Sequence, residues 1–218
     1  MKTALVFGSS GLIGGHLLNE LIQSDNYNKI KLFVRSDHVS NHLKTEIIKT
    51  DFNNLENHKE DIKGDDCFFC IGTTKQNSPD KNEYKRVELD VPKKIAQIAK
   101  SNLVNSFVFV SSGYANPNSS GDYLKFKGLV EEELKRLSFS KLGIMRPSFL
   151  IGDRKEKRVG EKVGIFIFKL LSPLFLGPLK KMKPIHSKKV AKAMIKITNG
   201  DFKQNVFESN EIVEVSNS

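Results

Sequence analysis

Residues 3–14 run Thr3-Ala4-Leu5-Val6-Phe7-Gly8-Ser9-Ser10-Gly11-Leu12-Ile13-Gly14, an apolar strand signal that stops at a glycine and meets two more glycines at intervals of three. Leu12, Ile13, Leu17, Leu18, Leu21 and Ile22 then recur at helical spacing, so the chain passes directly from strand to helix. Gly8 permits the sharp turn off the strand, Gly11 removes a Cβ that would hold backbone N–H groups away from a phosphate, and Gly14 lets helix and strand approach closely. With the backbone of Ser9, Ser10, Leu12 and Ile13, this turn presents amides and the positive end of a helix dipole to an anion. The sequence predicts a site for the pyrophosphate of a dinucleotide over residues 8–14. A tight turn without a ligand is the alternative that the spacing leaves open.

The pattern further along fits that start. Strand signals at 4–7, 29–34, 46–50, 66–71, 106–110 and 143–146 are separated by helical patterns at 12–24, 82–101 and 123–137. Apolar, β-branched strands alternating with helices predict an α/β fold with a doubly wound parallel sheet covered on both faces. Beyond Pro147 come a basic loop, an apolar stretch at 163–179, a helix at 187–198 and a short strand near Val206. We read 1–218 as a single domain in which 150–200 forms a small C-terminal extension capping the substrate side.

A formal charge of +10 raises nucleic acid as a partner. The basic residues cluster at Arg154, Lys155, Lys157 and Arg158 and at Lys180, Lys181 and Lys183, without a helix-turn-helix, zinc-finger or aromatic RNA-binding pattern beside them. Solvated faces and an anionic cofactor are therefore expected, not nucleic acid. Cys67 and Cys70 lie in an apolar strand whose period of two turns the thiols to opposite faces, so they read as core residues. The five histidines show no ligand spacing, and no metal is expected. The apolar run after Lys2 leads into an amphipathic helix instead of a cleavage site, which predicts a soluble, cytoplasmic protein.

In a doubly wound sheet, ligands bind beyond the carboxyl ends of the strands, which makes the residues just past each strand the candidates. The second strand ends at Arg35, whose guanidinium suits the 2′-phosphate of NADP; Asp37, two residues on, would instead suit the ribose of NAD. NADP(H) is the expected cofactor, with NAD(H) the alternative. The third strand ends at Asp51, which either accepts from the adenine amine or caps a turn. The fourth ends in Gly72-Thr73-Thr74, a close backbone approach with hydroxyl donors for the ribose and phosphates. The fifth ends in Ser111-Ser112-Gly113, placing hydroxyls at the mouth of the cleft.

Tyr123 and Lys127 follow, four apart on a predicted helix and so on one face. An ammonium beside a phenol favours its ionised form and makes it a usable general acid or base. Tyr27 and Lys31 have the same spacing, but they straddle the entrance of the second strand, at the wrong end of the sheet.

These landmarks, together with Arg146-Pro147 running to Gly152-Asp153-Arg154 and Arg158, resemble the short-chain dehydrogenase/reductase superfamily, whose core is the Rossmann fold. The resemblance is to its atypical branch typified by the Tat-interacting-protein oxidoreductases. It implies NADPH contacts from Ser9, Gly11, Leu12, Ile13, Arg35, Gly72, Thr73, Tyr123, Lys127, Leu150 and Arg158. It also implies a catalytic Tyr123 as proton donor, Lys127 on the nicotinamide ribose, and a serine orienting a carbonyl substrate. Ser112 is assigned that role, with Ser111 its rival. Better-known relatives carry paired arginines after the second strand, whereas here Arg35 is followed by Ser36. The expected function is an NADPH-dependent oxidoreductase of carbonyl or imine reductase type acting on a small molecule. An NADPH-binding regulatory or protein-interaction role with little turnover is the alternative. The segment 164–176 has three readings: a core helix, a lid over an apolar substrate, or an anchor held by Lys180, Lys181 and Lys183 against a membrane surface.

Overall fold

The apolar run after Met1 forms β1 (Lys2–Phe7), and the leucine-rich pattern after the glycine turn forms α1 (Leu12–Gln23). In the computed structural model, residues 1–35, 42–152 and 184–218 are described. Asp37, Arg154, Arg158, the stretch at 163–179 and Lys180, Lys181 and Lys183 lie outside them. The chain continues through β2 (Tyr27–Val34), β3 (Thr45–Lys49), β4 (Asp66–Phe69), α2 (Lys81–Lys85), α3 (Val91–Ser101), β5 (Ser106–Val110), α4 (Asp122–Leu137) and β6 (Lys141–Arg146). It ends with β7 (Leu150–Ile151), β8 (Ile185–His186), α5 (Ser187–Asn199), β9 (Val206–Glu208) and α6 (Ser209–Asn217). No helix among the described residues is long and apolar enough to cross a membrane.

Seven strands form one parallel sheet in the order β3-β2-β1-β4-β5-β6-β9, while β7 and β8 pair separately. The order reverses between β1 and β4, so the glycine turn after β1 opens at the switch point, where such sheets bind ligands. This is the doubly wound fold that the alternation predicted.

Successive residues of each strand enter opposite cores. Leu5, Phe7, Cys67, Phe69, Phe107 and Phe109 pack with α3 and α4, whereas Ala4, Val6, Phe68 and Val108 pack with α1, α5 and α6. Cys67 and Cys70 are free thiols that fall to different faces, as their spacing required. In register, Phe33, Phe7, Phe69 and Phe109 sit side by side across four strands. The Phe7 and Phe33 rings stack at 4.3 Å, and Phe69 lies 5.9 Å from Phe109. This row forms an apolar floor just below the strand ends.

Between α2 and α3 the chain makes a π turn, Arg86–Asp90. Pro92 explains it: in a regular α-helix its ring would clash with the carbonyl of residue 88, and it has no N–H to donate there. The wider turn carries the helix past that point and sets Glu88, 1% exposed, against the sheet. At the amino ends of the strands, the buried Tyr27 hydroxyl donates to Asp66 Oδ2 at 2.7 Å, and Lys2 Nζ reaches the same oxygen at 3.0 Å. Lys31 is spent on the carbonyls of Asp61 and Lys63. The second Tyr–Lys pair is thus part of the framework.

Helix α6 and the β7–β8 pair went unforeseen. Ile212, Val213 and Val215 give α6 a β-branched character. Its start is set by a capping box in which Glu208 and Glu211 exchange side-chain and backbone bonds. Helix α5 buries Val190, Ala191, Ala193, Met194 and Ile197 against the α1 side of the sheet.

Candidate functional site

The glycine turn has the geometry its sequence demanded. Gly8 adopts φ +91°, and a Cβ there would lie 2.9 Å from the backbone of Cys70 and Ile71. A Cβ on Gly14 would stand 2.0 Å from Gly8 O, whereas one on Gly11 would meet only Gly8 O, at 3.3 Å. Gly8 and Gly14 are therefore required by packing, and Gly11 keeps the mouth open. Helix α1 begins with Gly11 as N-cap and no side-chain cap, leaving its first amides free for an anion. Ser9 is 2% exposed, and its hydroxyl has no hydrogen-bond partner. A buried orphan donor beside uncapped amides fits the phosphates of a dinucleotide.

Next to this turn, a cavity of about 180 Å³ opens at the ends of β2, β3 and β4, lined by Arg35, Phe52, Ile71, Gly72, Thr73 and Arg86, among others. Asp51 stands outside that lining. Its two oxygens accept from the Asn53 backbone and side-chain amides, each at 2.8 Å, and these bonds hold its carboxyl below the usual range. Of the two roles weighed for Asp51, the structure shows turn capping, with Phe52 at φ +62° completing the turn. Arg86 came from no sequence signal, because the π turn brings it here. Its guanidinium donates to Glu83 at 2.6 and 2.8 Å and to Phe52 O at 3.3 Å. The Glu83 carboxyl is pulled down chiefly by Arg86, with Arg35 adding to it. Two arginines from distant segments thus flank one cavity, although Arg35 has no arginine neighbour in sequence.

At the other end of the cleft, helix α4 carries Tyr123 at 39% exposure and buries Lys127 to 3%. The Lys127 ammonium lies 6.0 Å from the Tyr123 ring centroid and 4.8 Å from that of Phe109, and it donates to Val110 O at 3.2 Å. Its counter-charge is Glu88, whose Oε2 lies 3.0 Å away, close enough for an ion pair although outside hydrogen-bond geometry. Glu88 Oε1 accepts the Thr73 amide at 2.5 Å, and a Cβ on Gly72 would touch both Glu88 and Lys127. Burial pushes the Cys70 thiol up to about 12 against the pull of Lys127, so Cys70 is neutral. Burial, reinforced by Glu88 and Tyr123, likewise lifts Tyr84 to about 12.

The two serines differ. Ser111 is buried and donates to Glu131 Oε1 at 2.5 Å; Glu131 in turn pairs with Arg146 at 2.6 Å. Ser112 is half-buried and makes only a long 3.3 Å bond to Gly113 O. The Ser111 proton is thereby committed to the framework, whereas the Ser112 hydroxyl is only weakly held. Ser10 and Leu12 lie on the turn, Ile13 is buried beneath it, and Leu150 in β7 packs at the margin of the α1-side core. Arg158 lies outside the described residues.

Sequence reading missed Glu88, Glu131 and Arg86. Glu88 had a signal: with Val91, Ile95 and Ala99 it stands on the buried stripe of its helix, where a carboxylate demands a partner. Glu131 likewise shares a stripe with Lys127 and Leu134.

Comparison with known proteins agrees with this geometry. A family model described as NAD(P)H-binding matches residues 8–200. The HTATIP2 protein of Rattus norvegicus is 32% identical over 166 residues, spanning 73% of this chain and 67% of that protein. The FMP52 protein of Eremothecium gossypii, designated mitochondrial, is 30% identical over 221 residues, 97% of this chain and 96% of its own length. Because relatives matched over nearly their full length are named mitochondrial, the expectation of a cytoplasmic protein is corrected: it came from the lack of a cleavage site after Lys2, which does not decide the compartment. Among solved structures, the UDP-N-acetylglucosamine 4-epimerase of Methanobrevibacter ruminantium M1, in complex with UDP-N-acetylmuramic acid, superposes with a TM-score of 0.71 at 20% identity. That match covers 98% of this chain and 80% of the epimerase, and it shows the shared fold. The glycine turn, the cleft beside it and these matches agree: the chain belongs to the NAD(P)H-binding family, in the atypical short-chain dehydrogenase/reductase group.

Proposed function

We propose that this chain is an NADPH-dependent oxidoreductase that reduces a carbonyl or imine group on a small molecule. The observation that carries the reading is the buried Lys127 ammonium, 6.0 Å from the half-exposed Tyr123 ring at the carboxyl edge of the sheet. Residues 8–14 and Thr73 would hold the dinucleotide phosphates, and Arg35 with Arg86 the adenosine end, where two guanidiniums favour a 2′-phosphate. When bound, the reduced nicotinamide supplies a hydride. Tyr123 donates the proton to the substrate oxygen or nitrogen, Lys127 stabilises the phenolate left behind, and the Ser112 hydroxyl orients the acceptor atom.

Mass spectrometry of the ligand carried through purification, followed by NADPH oxidation against a panel of carbonyls and imines, tests this reading. NADP(H) in the purified protein and turnover on the panel support it. A protein that retains NADP(H) and turns over no member of the panel would favour a regulatory role.

A further inference from the structure

The Lys127 ammonium is 4% exposed at its side chain, and the carboxylate beside it is fully buried. An ammonium in such a place demands a counter-charge, because desolvation penalises an unpaired ion. Every neighbour of Lys127 bears on this. Cys70, at the end of β4, is a neutral thiol. From β5 come only the Phe109 ring and the Val110 carbonyl. On its own helix, Tyr123 is one turn back, and Glu131, one turn on, is held by Ser111 and Arg146. Tyr84, from α2, faces Tyr123 and Glu88 as a neutral phenol. Asp122 pairs with Lys75 at 3.1 Å. Among the described residues, the one anion set against the ammonium is Glu88.

We propose that Glu88 is a positioning residue of the cleft. Its one oxygen fixes the Lys127 ammonium under Tyr123, while the other ties it to the Thr73 amide of the phosphate-side loop. The π turn is what makes this possible, since it presents the carboxylate between α4 and the Gly72–Thr73 strand end. Glu88 thereby couples the two halves of the cleft. The inference rests on reading Lys127 as part of the site, but the NMR part of its test needs neither cofactor nor substrate.

The test follows the Lys127 Cε signal and the Thr73 amide signal by NMR, with Lys127→Met assigning the former, together with NADPH affinity. In Glu88→Gln both signals are expected to move and NADPH affinity to fall about tenfold, the scale of a lost charge-assisted contact. Glu88→Asp keeps the charge and is expected to recover most of the affinity, which mere packing would not restore. Unmoved signals with wild-type affinity in Glu88→Gln would overturn the proposal. Should Glu88→Gln fail to fold, Lys127→Met provides the reciprocal reading: the Thr73 amide signal should move, and no change would overturn the proposal equally. Undiminished NADPH binding by Lys127→Met would overturn the functional reading of the cleft while leaving the ion-pair result intact.

Discussion

Replacing Gly14 by alanine tests whether the glycine turn is built by contact or by habit. The added Cβ would lie 2.0 Å from Gly8 O and 2.8 Å from Gly8 C, both backbone atoms with no flexible end to move aside. Relief requires α1 to retreat from β1 by about 1 Å, and because the obstructing atoms are backbone the overpacking falls in the upper part of its usual range, about 2–3 kcal/mol. Alanine returns about 1 kcal/mol of helix propensity, so the net loss should be about 1–2 kcal/mol. In a domain of this size that lowers Tm by about 2–8 °C. Gly11→Ala is the control: its Cβ meets only Gly8 O, at 3.3 Å, so it should fold with a loss below about 1 kcal/mol yet bind NADPH more weakly. Thermal unfolding with and without NADPH distinguishes the two variants. A Gly14→Ala protein that melts with wild type, or a Gly11→Ala protein that melts earlier than Gly14→Ala, would refute the reasoning.

Arg35→Ala and Arg86→Ala should each weaken NADPH binding by about 1.5–3 kcal/mol while leaving NADH little changed; equal losses for both cofactors in calorimetry would show that neither arginine reads the 2′-phosphate. Tyr27→Phe leaves the Asp66 carboxylate one donor short in a buried place and should destabilise the fold by about 1–3 kcal/mol in denaturant titrations with cofactor affinity unchanged, which separates it from Tyr123. Arg136, followed by Gln97, holds the Glu133 carboxyl down to about 2, so its stabilisation is present above the unfolded carboxylate value and is lost as pH falls. The stability difference between wild type and Glu133→Gln should therefore shrink between about pH 5 and pH 2, modestly because Arg136 is exposed.

The elements with one strong period were legible in the sequence. β5 lies where its continuous apolar run put it, at Ser106–Val110, and α4 follows at Asp122–Leu137, within a residue of the expected start. Helix α6 was not legible, because Ile212, Val213 and Val215 lack helical propensity and its stability comes from a capping box and from packing on α5. Of the site, the glycine turn and the Tyr123–Lys127 pair were readable because each is local. The different surroundings of Ser111 and Ser112 were not, since the bond that holds Ser111 comes from Glu131, twenty residues away. Arg86 was hidden for a related reason, since the π turn before Pro92 aims it at the cleft; the spacing of Glu88 marked it as buried but not which partner the turn would bring to it.

In the proposed reaction the Tyr123 hydroxyl serves chemistry rather than folding or cofactor binding. Tyr123→Phe removes that one oxygen from a side chain already 39% exposed. The direct measurement sets NADPH affinity and NADPH-dependent turnover of a carbonyl side by side in wild type and this variant. Melting and affinity are expected to stay unchanged while turnover falls about 10²–10⁴-fold. Turnover at the wild-type rate in Tyr123→Phe would contradict that role.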